Sequence, residues 1–447
     1  MITSIKTDEI KLHEPKSNEV IYSVDFLQNV LQTAMELHVP IAIWRLPVHV
    51  EGGNRHIVVD FSGKTKLVKP NLENLPAGFV VSPFVQTETK VHFIEANFHY
   101  QSQNGTYFID ENIDKNKENY ENSKEFLAKI SIAKQAIKAN YSINKSQKLD
   151  NQIDKAITNH ENKNYENKNT QIDFENIVAQ AICNMQQNKF QKVVLSRTKT
   201  VDLEAGFELA KAFEKLCYLY PHAFISLVCA DEFGTWIGAS PEILISSDKN
   251  KVFRTIALAG TQAKGTITNL QEAMWRQKEI EEQALVSRYI INCFKKVRVR
   301  EYEEEGPKTV VAGNLMHLRT DFEVDTKAIN FPELATVMLE LLHPTSAVCG
   351  MPKPEALDFI LKNEKHDRKL YAGYLGQVNI NGETHLFVNL RCMEIINSNL
   401  NANSKKQAIL YAGGGITKDS VPEREWLETE LKCKTVAQAF LDINNCI

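Results

Sequence analysis

Several familiar signatures are missing from this chain, and each absence closes a class of function. No two of its eight cysteines form a CxxC pair: Cys183, Cys217, Cys229, Cys293, Cys349, Cys392, Cys433 and Cys446 are scattered. That usage fits buried small hydrophobes in a reducing compartment and argues against a structural zinc site. No apolar run approaches the roughly 18 residues a membrane span needs, and the start, Met1-Ile-Thr-Ser-Ile-Lys-Thr-Asp-Glu, lacks the basic opening and apolar core of a secretory signal. A cytoplasmic protein with no membrane partner is expected. Neither GxGxxG nor GxxxxGK[ST] occurs, so no nucleotide fingerprint is present. An excess of one charge is lacking too: the formal net charge is only −4 at pH 7, which implies no nucleic-acid partner. What remains is ordinary globular composition, 43% hydrophobic over 447 residues, enough for a sizeable core in two subdomains or one large two-layer domain.

Residues 1–110 read as β-rich. Short apolar runs at Ile41-Ala-Ile-Trp-Arg, Ile57-Val-Val-Asp-Phe, Gly78-Phe-Val-Val and Val91-His-Phe-Ile are punctuated by Gly, Pro and Asn, and no catalytic motif stands among them. Residues 111–172 change character, being rich in Asn and Lys with no Gly or Pro, and read as an insertion or connector. Within it Phe126, Leu127, Ile130, Ala133 and Ile137 follow helical spacing between Ser123 and Asn140, whereas Glu161 to Thr170 reads as solvated. Its lysines are interleaved with Glu and Asp, which disfavours nucleic-acid binding.

The third region, 173–447, alternates helices and strands. Asp173 reads as an N-cap for a helix carrying Phe174, Ile177, Val178, Ala181, Ile182 and Met185, followed by a strand at Lys192-Val-Val-Leu-Ser. A helix from Gly206 to Tyr220 stops at Pro221, and strands follow at Ala223–Cys229 and Thr235–Ala239, then a hairpin from Glu242 to Leu258. Tyr374–Ile380 and His385–Leu390 flank Asn381-Gly382, a strong short-range hairpin signal. The expected fold is α+β: large antiparallel sheets packed as a sandwich, with helices outside.

The residues able to carry chemistry are mostly charges in apolar settings. Glu279 and Glu282 lie three apart in a helical stretch, Leu270 to Phe294, with Cβ atoms about 5–6 Å apart on one face. Alone, such an ExxE most often marks a solvated acidic surface. It recurs at Glu425-Trp-Leu-Glu428, with Lys432 completing one helical stripe. Two such pairs, with waters filling the remaining positions, suit Mg²⁺, which takes few protein ligands and an anionic substrate. Lys192 opens an apolar strand, where it either snorkels outward or points into a cavity. Glu242, between Gly238-Ala-Ser-Pro and Ile-Leu-Ile, has surroundings that raise a carboxyl toward acid duty. The glycines of Gly260-Thr261 and Ala412-Gly-Gly-Gly415 let backbone N–H groups approach an anion. His317 and Arg391 would by default be satisfied core or surface residues.

Taken together, Lys192-Val-Val-Leu-Ser-Arg197, Gly238-Ala-Ser-Pro-Glu242, Leu258-Ala-Gly-Thr261, Lys278-Glu-Ile-Glu-Glu282, His343-Pro-Thr345, Tyr411-Ala-Gly-Gly-Gly-Ile416 and Glu425-Trp-Leu-Glu428 resemble, in order and spacing, the chorismate-utilising enzymes. The resemblance covers about Phe174 to Phe440. A lysine at the Lys192 position resembles the branch that activates water, where ammonia-using members typically carry glutamine, and Ala259 replaces the lysine that aminodeoxychorismate synthases place before Gly-Thr. The resemblance therefore implies isochorismate synthase activity: Lys192 the base that deprotonates water for attack at ring carbon 2, Glu242 the acid that protonates the departing 4-hydroxyl. It implies Mg²⁺ held by Glu282 and Glu428, with Glu279 and Glu425 acting through waters or behind them. It also implies a substrate site of Arg391, Lys432 and the backbone at Gly413 for the carboxylates, and His317, Thr261, Gly260, Ala347 and Tyr371 around the ring. Gln283 departs from the histidine many relatives carry there.

Three further readings stand beside this one. Salicylate synthase uses the same base, acid and metal and then eliminates pyruvate; Gly373-Tyr-Leu-Gly376 resembles the isochorismate form. Anthranilate-type amination ranks lower because of Lys192. A silent chorismate-binding subunit would be expected to have lost the base or the acid, and both are present. The product would serve menaquinone or siderophore biosynthesis, in a monomer without an amidotransferase subunit.

Overall fold

The computed structural model of the chain describes residues 23–437 except 87–88, 104–105, 110–120, 132–163, 205, 264–269, 271–272, 313–314 and 397–405. The elements run in chain order: α1 (Val24–Glu36), β1 (Ile41–Arg45), α2 (Val48–Glu51), β2 (Arg55–Val59), β3 (Lys66–Val68), β4 (Gly78–Ser82), β5 (Val91–Glu95), β6 (Phe98–Gln101) and β7 (Thr106–Ile109). Next come α3, described over 121–131, α4 (Asn164–Gln186), β8 (Lys192–Asp202), α5 (Leu209–Leu219), β9 (Phe224–Ala230), β10 (Gly234–Ser240), β11 (Ile243–Ser247), β12 (Val252–Ala263) and α6 (Gln277–Lys296). The rest is β13 (Glu303–Ala312), β14 (Leu315–Asp325), α7 (Leu334–Leu342), β15 (Gly350–Met351), α8 (Lys353–Asn363), β16 (Tyr374–Ile380), β17 (Glu383–Val388), β18 (Cys392–Ile396), β19 (Gln407–Ile416) and α9 (Pro422–Ala437).

Two antiparallel sheets result. One has the order β15-β8-β19-β18-β10-β9-β1-β2-β6-β7, the other β13-β14-β12-β11-β17-β16-β4-β5-β3. This is the α+β sandwich the hairpin pattern led one to expect, and the N-terminal strands complete both sheets rather than forming one of their own.

The alternation of side chains along a strand explains the layering. In β1, Ala42 and Trp44 face the core between the sheets, while Ile41 and Ile43 face the opposite core beneath α1 and α5. Strand β9 divides the same way, Phe224 and Val228 inward and Ile225 and Leu227 outward. Phe224 stacks on Phe387 of the other sheet with centroids 4.2 Å apart, and Trp44 Nε1 donates to Gln377 Oε1 at 2.7 Å. Each fully buried side chain of this size contributes about 1.5–3 kcal/mol.

Several local expectations need correction. The β-rich N-terminal part contains a helix, α1, capped by Ser23, ahead of its first described strand. Its Phe26, Leu27, Val30, Leu31 and Ala34 cover one face of the ten-stranded sheet. Asp173 is not an N-cap, because α4 begins at Asn164, and the 164–170 stretch read as solvated is its first turns. Helix α6 begins at Gln277, not Leu270, since Arg276 is its N-cap. The amphipathic stretch after Ser123 is helical over 121–131, with Phe126 and Ile130 buried beside Phe61 and Phe98; its continuation toward Asn140 lies outside the described residues. No helix among the described residues is long and apolar enough to cross a membrane.

Candidate active site

Strand β19 supplies the floor of the site. It pairs with β8 along its whole length, Gly413 to Gly415 lying opposite Ser196 to Val194, whereas its register with β18 ends at Leu410. The triglycine therefore lies within a strand, not in a turn after one. Its bareness is used: a β-carbon on Gly415 would stand 3.0 Å from Lys192 Cε and 3.1 Å from Glu282 Oε1. On Gly414 it would stand 3.5 Å from Glu425 Oε2 and 3.7 Å from Glu428 Oε1. Any larger residue would fill the space into which these charges converge.

Above the glycines lies a cavity of about 420 Å³, in the range that encloses a small ligand. Its lining brings together Lys192, Glu242, Gly260, Glu279, Glu282, His317, Ala347, Tyr371, Arg391, Gly413, Glu425, Glu428 and Lys432. Those residues run from position 192 to position 432; most are named from motifs, whereas His317, Ala347, Tyr371 and Arg391 are implied only by the family resemblance. Thr261 stands apart: it pairs with His317 in the β12–β14 ladder, and its side chain lies outside the described residues.

Electrostatics divides the cavity. Lys192, 2% exposed, donates to Glu282 Oε1 at 2.8 Å. Burial would raise the Glu282 carboxyl, but Lys192, Lys278 and Lys432 together hold it below its usual range. Lys432 pairs with Glu428 Oε1 at 2.8 Å and donates to Gly413 O at 2.7 Å, and its charge leads in holding Glu428 low. Glu425 is raised by its own burial, with Lys278 Nζ 3.6 Å away. Glu279 turns back on its own helix: Oε2 accepts the Arg276 N–H at 3.0 Å and Oε1 pairs with the Arg276 guanidinium, which caps α6.

Glu242 sits differently. Burial pushes its carboxyl up to about 7 and only the more distant charge of Lys192 opposes this; its backbone is fixed by Val388 N–H donating to its carbonyl at 3.0 Å. His317 is driven down to about 4, first by burial and then by the charge of Arg391, so it is a neutral imidazole at neutral pH. Arg391 holds a left-handed backbone, φ 49°, and is depressed by burial with only Tyr220 opposing. A desolvated guanidinium facing a cavity is suited to a carboxylate. Tyr371 stacks on Tyr411, centroids 5.6 Å apart.

A hard cation fits this donor set. Three carboxylates converge over two adjacent glycines and all the donors are oxygen. Among the described residues no three acidic, histidine or cysteine side chains enclose a metal by themselves; Lys192 is paired with Glu282 and Lys432 with Glu428. Such a site leaves coordination positions to water and substrate.

The sequence reading missed Arg276, Lys278, Tyr411, Ser420 and Arg424 in the lining. Lys278 and Tyr411 stood inside quoted motifs, and their helix and strand phases would have placed them. Gln283 points away from the cavity, donating to Ala257 O and Thr320 Oγ1 at 3.1 and 3.0 Å. Gly376 is a packing requirement, since a β-carbon there would lie 2.0 Å from His385 O.

A family model described as chorismate binding enzyme matches residues 87–441. The chain belongs to the chorismate-binding enzyme family. Among curated relatives, isochorismate synthase EntC of Escherichia coli (strain K12) is 31% identical over 275 residues, covering 60% of this chain and 67% of that protein. Among solved structures, MenF, the menaquinone-specific isochorismate synthase of E. coli, aligns with TM-score 0.66 at 18% identity over 94% of this chain and 91% of MenF. Anthranilate synthase component I of Streptococcus pneumoniae aligns with TM-score 0.58 at 17% identity, covering 97% and 95%. At those identities the structural matches speak for the shared fold.

Proposed function

We propose that this chain is an isochorismate synthase, converting chorismate to isochorismate by adding water at ring carbon 2 and releasing the 4-hydroxyl as water. The observation that carries the reading is one cavity holding a buried lysine and, coupled to it, a buried carboxyl that titrates near neutrality. An acid poised there can give up a proton at physiological pH, and a lysine can take one from water. The likeness to EntC, named an isochorismate synthase, supports the same choice.

In the proposed reaction Arg391 and Lys432 hold the carboxylates of the dianion, and His317 and Tyr371 border the ring. Lys192, held beside Glu282 at 2.8 Å, removes a proton from the water that attacks carbon 2. As the ring double bonds shift, Glu242 passes its proton to the hydroxyl leaving carbon 4. One water enters and one leaves, so mass is conserved. Mg²⁺, when bound by Glu282 and Glu428 with Glu425 behind them, would neutralise their charge and hold the ring carboxylate. Glu279 belongs to the scaffold of that site, as the cap of α6. We further propose a cytoplasmic monomer that needs no amidotransferase subunit, its product feeding menaquinone or siderophore synthesis.

Purified chain incubated with chorismate and Mg²⁺, with products read by mass and NMR, tests this. An equilibrating product of unchanged mass is expected. Salicylate with pyruvate, or no turnover at any magnesium concentration, would overturn it.

A further inference from the structure

Strand β8 carries a second buried basic residue besides Lys192. Arg197 is buried, 7% exposed, and among the described residues its guanidinium contacts one helix, α9. Its guanidinium carbon stands 3.7 Å from the centroid of the Trp426 ring, its Nε–H donates to Thr429 Oγ1 at 2.7 Å, and its Nη2 pairs with Glu430. Trp426 and Thr429 each follow directly after a carboxylate of the second ExxE pair, Glu425 and Glu428. Helix α9 thus presents two stripes. One, of Trp426, Thr429 and Cys433, is buried; the other, of Glu425, Glu428 and Lys432, lines the cavity. Rotation of the helix about its axis decides where the carboxylates sit over Gly414, and Arg197 grips the stripe that fixes that rotation. It stands opposite Ala412, one residue before the triglycine.

We propose that Arg197 is a positioning residue for the divalent cation: by clamping Trp426, Thr429 and Glu430 it holds Glu425 and Glu428 in the orientation that receives the metal. The inference rests on the cation assigned to this site under the proposed function. A planar fork that stacks, donates sideways and pairs at its tip does what a lysine cannot. Groups that orient metal ligands typically matter 10–100-fold in affinity.

The experiment is a Mn²⁺ titration of the full chain followed by electron paramagnetic resonance of the free ion, with no substrate present. Arg197→Met should weaken Mn²⁺ binding about tenfold or more while the melting temperature moves by a few degrees, because Lys199 remains paired with Glu430 at 2.8 Å. With chorismate, the magnesium concentration for half-maximal rate should rise by a similar factor, and saturating magnesium should restore most of kcat. Arg197→Lys keeps the charge but loses the stack and the Nε–H, and it should also bind Mn²⁺ more weakly than the unaltered chain. If Arg197→Met does not fold, this variant decides. Binding as tight as that of the unaltered chain in either folded variant overturns the inference. Failure of the unaltered chain itself to bind Mn²⁺ overturns the cation assignment, and the inference with it.

Discussion

Glu242 and Glu282 both face Lys192, yet their carboxyls are driven in opposite directions. Around Glu242 burial dominates and the lysine acts from a distance, so the carboxyl rises to about 7. Around Glu282 burial works the same way, but Lys192 at 2.8 Å, with Lys278 and Lys432 behind it, outweighs it. One residue type on two sides of one lysine becomes a proton donor and an anion. Distance to the ammonium, rather than burial alone, separates the roles.

The sharpest way to break this contrast is to remove the lysine they share. Lys192→Ala is expected to lower kcat by about 10³-fold, with the melting temperature within a few degrees of the unaltered chain because Lys278 and Lys432 still face Glu282; calorimetry beside the rate assay separates the two. Chelation with EDTA should likewise abolish turnover and added Mg²⁺ restore it, whereas an enzyme equally active after exhaustive chelation would remove the role given to the Glu282 side.

Glu242→Gln should cost about 10²–10⁴-fold in kcat and do something no ligand variant does to stability. The folded chain keeps Glu242 protonated up to about 7 against an ordinary value of 4.5, so the folded state holds the extra proton between those values. Stability from this group is full below the ordinary carboxylate range and is lost as pH rises through about 7. Glu242→Gln should therefore match the unaltered chain near pH 4 and exceed it at pH 8, by up to about 3 kcal/mol. Thermal unfolding at the two pH values measures this, and equal curves at both would mean that Glu242 is not buried as described. The same titration predicts that kcat falls as pH rises through about 7, as the acid loses its proton. The smallest effect belongs to Gln283→Ala, which should cost about 1–3 kcal/mol of stability with kcat within a few-fold, since its amide ties α6 to β12 and β14 away from the cavity.

Much of this was legible in the sequence because it is local. Asn381-Gly382 adopts positive φ at both positions, as its hairpin requires, and the apolar runs at Ile41 and Gly78 became β1 and β4. Helix α1 was missed although Ser23 and the spacing of Phe26, Val30 and Ala34 announced it; a region judged as a whole by its strands hides one helix. The start of α6 was misplaced because the Arg276–Glu279 cap matches no standard Ser/Thr/Asp signal. In the site, motif order located the residues but not their partners. That Lys192 pairs with Glu282, 90 positions away, and that Arg197 grips Trp426, are consequences of strand order. Strand order is set by long-range packing, which no short motif encodes.

The most direct measurement is turnover of chorismate in water enriched in oxygen-18. A lysine that activates water and an acid that expels the original hydroxyl predict isochorismate carrying one heavy oxygen at carbon 2. Isochorismate without label would show that the hydroxyl migrates within the molecule, and would contradict the roles assigned to Lys192 and Glu242.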